Sequence, residues 1–136
     1  MKHNLLLHVN EANIDKFKLA FDHVRNYRSE VLYGHYHRTP QEIAANAAMV
    51  RIQSQEEINI VLVVNGPAVQ MLAKATKTDF DIMAAAKQYG VEVHAGEYSM
   101  KDMGLSQEDV IDGVKFLPVT LDIVALQQQG YAYIKM

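Results

Sequence analysis

The chain predicts an α/β fold in three layers, a parallel sheet with helices on both faces, and three observations carry that expectation. Five short apolar segments read as strands, helix signals fall between them, and the first two strands do not alternate polar with apolar residues. Alternating strands and helices build a parallel sheet through right-handed crossovers, and an unbroken apolar strand is one covered on both sides.

The first strand is Leu5-Leu6-Leu7-His8-Val9 and the second runs from Ile58 to Val64; both are continuous apolar runs suited to the centre of a sheet. Val91 to Ala95 is the third. Val114 to Val119 carries a lysine and Pro118, and Tyr131 to Lys135 alternates, so these two suit the edges. Between the first two strands Ile14, Phe17, Phe21, Val24 and Arg28 step by three or four, which predicts a helix over about 11–30 with one apolar stripe. Pro67 opens a second helical stretch through Val69, Leu72 and Ala73, and a short helix begins at Thr78 and ends at Gly90. The capping-box pattern Ser106-Gln-Glu-Asp109 starts another short helix, and Thr120 to Gln129 forms the last, stopped by Gly130. Residues 29–55 exceed a minimal five-strand scheme: a tyrosine- and histidine-rich loop precedes a capping box at Thr39-Pro40-Gln41-Glu42 and a helix with Ile43, Ala47 and Val50 on one face.

At 136 residues, 49% apolar and 21% charged, the chain suits a single globular domain spanning 1–136. A net charge of −3 with scattered basic residues argues against nucleic acid. The N-terminal MKHNLLLHVN has too short an apolar run for a signal peptide or a membrane span, so a cytoplasmic location is expected. There is no cysteine at all. Thiol nucleophiles, disulfides, persulfide carriage, iron–sulfur clusters and thiolate zinc sites are excluded with it.

Ligands of open α/β sheets bind beyond the carboxyl ends of the strands. Here those positions hold His8 and Asn10 after the first strand, Asn65 and Gly66 after the second, and His94, Gly96, Tyr98 and Ser99 after the third. Imidazoles and amides near helix N-termini suit an anion or a polarised carbonyl, although strand-end histidines are more often bonded to their own protein. His35-Tyr36-His37 could place two imidazoles on one side of an extended segment, but no carboxylate stands at ligand spacing, so no metal is expected. With Arg38 the same stretch suits a subunit contact better. GxSxG, P-loop and GxGxxG motifs are missing, and no cofactor is expected.

Several stretches, Gly90-Val91-Glu92-Val93, Met100 to Asp109, Gly113-Val114, and above all Leu126-Gln-Gln-Gln-Gly130-Tyr-Ala-Tyr-Ile-Lys135, closely resemble the DsrE/DsrF-like family, as do residues 8–13 and 63–69. The resemblance implies a five-stranded parallel sheet of order 4-3-2-1-5 and assembly into homotrimers or hexamers. In sulfur-relay members a cysteine after the third strand carries a persulfide, and aligned on VEVHAGEYSM that position falls on Gly96. The expected function is therefore a homo-oligomer that binds a small polar or anionic ligand, or a partner protein, without carrying persulfide itself. The alternatives are an enzyme using His94 or His8 as general base or metal ligand, or an accessory protein of sulfur metabolism.

Overall fold

The structure, a computed structural model, describes residues 2–33, 41 and 56–136. Five parallel strands, β1 (Lys2–Val9), β2 (Glu57–Val64), β3 (Val91–Gly96), β4 (Lys115–Leu117) and β5 (Ala132–Lys135), form one sheet in the order β4-β3-β2-β1-β5. This is the expected order 4-3-2-1-5, with the two polar or alternating strands at the edges. The helices placed in full among the described residues are α1 (Ile14–Tyr33), α2 (Ile82–Tyr89), α3 (Glu97–Asp102) and α4 (Val119–Gln128), with 3-10 turns at Gly66–Leu72 and Gln107–Asp109.

The two faces of the sheet are covered unequally. Leu5, Leu7 and Val9 of β1 pack with Ile60, Leu62 and Val64 of β2 against Phe17, Phe21 and Val24 of α1 and Ile82 and Ala86 of α2. The opposite face has a small apolar patch of Leu6, Val61 and Val63, closed by Leu126 of α4 with Val119, Ile123 and Tyr131 around it. Polar rows bound that patch, Asn59 donating to Asn4 at 2.9 Å near the amino ends of the strands and His8 and His94 lying near the carboxyl ends. Burial on both faces explains why β1 and β2 read as unbroken apolar runs.

Local chemistry sets the ends of the elements. Asn13 caps α1, its side-chain oxygen accepting the N–H of Asp15 at 3.0 Å, and Asp15 in the first turn complements the helix dipole. The expected start of α2 at Thr78 moves to Asp81, whose carboxylate accepts the N–H of Ala84 at 3.0 Å; the Thr78 hydroxyl is used in a local turn with Phe80. Gly90 ends that helix at φ +67°, a conformation glycine adopts without strain. The stretch after Pro67 is a 3-10 turn rather than an α-helix: three residues per turn stack Val69 and Leu72 on one side, and both are fully buried. The expected capping box at Ser106 and Asp109 is present.

The β4 segment is shorter than its apolar run suggested, because Pro118 ends the ladder and opens α4 one residue ahead of the expected Thr120. The expected loop after β3 is also absent, since Gly96 is both the last strand residue and the N-cap of α3. The Thr39–Glu42 capping box, its helix through Ile43, Ala47 and Val50, and the His35-Tyr36-His37-Arg38 contact lie outside the described residues but for Gln41. Among the described residues no helix is long and apolar enough to cross a membrane.

Candidate functional site

Register places the two strand histidines in one transverse row. His8 lies opposite Val63, Val63 opposite His94, and the flanking strands add Lys135 beside His8 and Lys115 beside His94. In parallel register these side chains share the face covered by α4. With a whole strand between them, the imidazoles do not meet.

His8 is buried and bridges two groups, its Nδ1 2.6 Å from the Tyr133 hydroxyl and its Nε2 2.6 Å from Asn65 Oδ1. An amide oxygen only accepts, so Nε2 carries the proton and donates to Asn65; in the neutral ring Nδ1 then accepts from the tyrosine hydroxyl. Burial pushes the His8 imidazole below its ordinary value, the bond to Asn65 partly offsets this, and the positive charge of Lys135 lowers it further. The sequence-based expectation of a ligand-contacting imidazole becomes a supporting role: His8 fixes the orientation of the Asn65 amide.

His94 is equally buried, but it serves a different network. Its Nδ1 lies 2.7 Å from Asp122 Oδ2 of α4 and its Nε2 3.1 Å from Glu92 Oε2. Glu92 also takes a bond of 2.8 Å from Lys115 Nζ, which holds its carboxyl below the usual range and the Lys115 amine above its own. Only a doubly protonated ring donates to both carboxylates at once. The pair joins β3 to the first turn of α4, and both ring nitrogens are occupied.

A cavity of about 320 Å³ opens beyond the ends of β2, β3 and β4, lined by Asn65, Gly96, Tyr98, Ser99, Pro118, Val119, Thr120 and Leu121. Its lining is rich in donors. With Oδ1 taken by His8, Asn65 offers its Nδ2 hydrogens; Ser99 Oγ accepts the Gly66 N–H at 2.7 Å and keeps its own proton to donate. The first turn of α4 has no side-chain cap, so the N–H groups of Val119, Thr120 and Leu121 have no intrahelical partner, and the first such bond runs from Asp122 to Pro118. None of the lining residues is acidic.

Of the expected site residues, Asn65, Gly96, Tyr98 and Ser99 line this cavity directly. His8 stands behind Asn65, and Gly66 supplies the amide that orients Ser99. Gly66 has φ +59°, and a β-carbon there would lie 3.3 Å from the carbonyl oxygen of Asn10, which itself does not line the cavity. His94 is outside the cavity. Sequence reasoning missed Pro118 to Leu121, although the rule that selects the ends of strands one to three selects the end of strand four as well.

A model of the DsrE/DsrF-like family matches residues 30–136. The chain belongs to the DsrE/DsrF-like family. A search of the curated proteins finds no match. Among solved structures, a protein of unknown function from Methanobacterium thermoautotrophicum, MTH1491, is similar at 19% identity and TM-score 0.70, covering 98% of this chain and 99% of that one. The ychN protein from E. coli is similar at 11% identity and TM-score 0.65, with coverage of 98% and 99%. At these identities the likeness concerns the fold.

Within this DsrE/DsrF-like chain, Gly96, the position that the sequence resemblance aligns with the persulfide cysteine, is crowded in the direction a side chain would take. A β-carbon on Gly96 would sit 2.7 Å from Val119 Cγ2, 3.2 Å from Asn65 Cβ and 3.4 Å from Ser99 Oγ. Among the described residues no group of three or more histidines, cysteines or acids is placed to hold a metal ion.

Proposed function

We propose that this DsrE/DsrF-like protein binds a small anionic or acceptor-rich polar ligand at the mouth beyond β2, β3 and β4, and does not carry persulfide. The observation that carries the reading is the convergence of donors with no acidic residue in the lining: Asn65 Nδ2, the Ser99 hydroxyl and the uncapped amides of α4 around one cavity of about 320 Å³. Amides that must otherwise find water are satisfied by an anion at little reorganisation cost. Ligand binding ranks ahead of acid–base catalysis because both ring nitrogens of His8 and of His94 are engaged by side chains, which leaves neither ring a free nitrogen to offer the mouth.

The same reading takes the protein as a cytoplasmic homo-oligomer, a trimer or hexamer, with a partner protein as the alternative occupant of the mouth. Its support is α4, which is apolar on its outer side too: Leu121 is 70% and Val124 45% exposed. Calorimetric titration with inorganic phosphate tests the site. Saturable binding weakened about tenfold by Asn65→Ala and by Ser99→Ala supports it, and no heat in the wild type removes it. Incubation with a cysteine desulfurase tests the sulfur claim, since a stable mass gain of one sulfur atom would refute it.

A further inference from the structure

Beside the mouth lies a second, larger cavity of about 510 Å³, and Tyr98 lines both. Its floor is apolar, made by Met100, Leu105 and Phe116, while Glu97 and Lys101 from α3 and the uncharged Ser106 and Gln107 stand on its rim. Tyr98 is 68% exposed, an unusual position for so large a ring. Neither its hydroxyl nor the two charged groups hold a hydrogen bond or ion pair to another described residue. Glu97 and Lys101 are four residues apart on one helix, so their opposite charges cancel over the cavity.

We propose that this second cavity seats the body of the ligand whose head occupies the mouth, and that the body is an uncharged flat aromatic ring. The ligand class is then a small anion carrying an aromatic group, such as an aryl phosphate or an aromatic carboxylate. Two aromatic side chains, Tyr98 and Phe116, offer ring faces and edges, and a sulfur and a leucine complete an apolar seat. The volume suits a ring, and the balanced rim disfavours a second charge on the body. This inference rests on the donor-rich mouth as the anion site.

The test compares phenyl phosphate with inorganic phosphate on the full-length protein. Phenyl phosphate is expected to bind at least about tenfold tighter. Phe116→Leu and, independently, the surface change Tyr98→Leu are each expected to bring that ratio below about threefold. Equal affinities for the two probes in the wild type overturn the aromatic seat and leave the mouth reading standing. Binding of neither probe overturns both. A tenfold preference that survives both substitutions places the ring elsewhere and overturns the seat.

Discussion

Val119 and Gly96 are fitted to one another: a β-carbon on Gly96 would lie 2.7 Å from Val119 Cγ2, a separation that real β-carbons do not tolerate. The glycine is not strained, since Gly96 has φ −67°, so the constraint is space rather than backbone conformation. The lack of a side chain at position 96 is thus matched by α4 as well as by β3.

The first prediction follows from that contact. Gly96→Ala should lower stability by about 1–3 kcal/mol through overpacking, measured as a fall in the urea midpoint. Val119→Ala removes the clashing methyl groups, so Gly96→Ala combined with Val119→Ala should cost less than the sum of the two single changes. Strict additivity would show that the two side chains do not compete for the space. Gly96→Cys alone should behave like Gly96→Ala.

The second concerns pH. The His8 imidazole is held below its usual 6.5 in the fold, chiefly by burial. Just below that value the unfolded chain therefore binds more protons than the folded one, and unfolding free energy rises with pH there. Its contribution is fully present above 6.5 and is lost as pH falls through the lowered folded value. His8→Gln should flatten stability against pH just below 6.5 relative to wild type. Parallel curves for the two proteins would reject the assignment.

The third separates the two partners of His94. Asp122 is 10% exposed and Glu92 54% exposed, so solvent screens the second bond and hardly the first. Asp122→Asn is expected to cost about 1–3 kcal/mol and Glu92→Gln less than about 1 kcal/mol, read as urea midpoints. The reverse order of costs would mean that the exposed bond holds the histidine.

How much of this was legible in the sequence depended on which residues carried the signal. Leu5 to Val9 and Ile58 to Val64 are so uniformly apolar that only a two-faced position suits them, and the structure puts them at the centre. Asn65, Gly96, Tyr98 and Ser99 share one cavity because strand ends are places where the loops of any parallel sheet converge. The histidines misled, because sequence cannot say which partner occupies a ring nitrogen: Tyr133 lies 125 residues from His8 and Asp122 28 from His94. Thr78 misled for a simpler reason, as two capping residues stood close together and the carboxylate of Asp81 took the helix.

The last prediction tests assembly through α4. Leu126 faces the sheet and is buried, while Leu121 and Val124 face outward with 70% and 45% of their surface exposed. A helix apolar on both sides is half-used in a single chain. Light scattering should give a multiple of the 15.3 kDa chain mass, and Leu121→Glu with Val124→Glu should reduce it to one chain, since two buried charges per copy oppose association. A wild-type mass of one chain would end the oligomer reading. An assembly that survives the double change would move the contact off this helix, and because Leu121 also lines the mouth, it would leave that cavity open to solvent in the assembled protein.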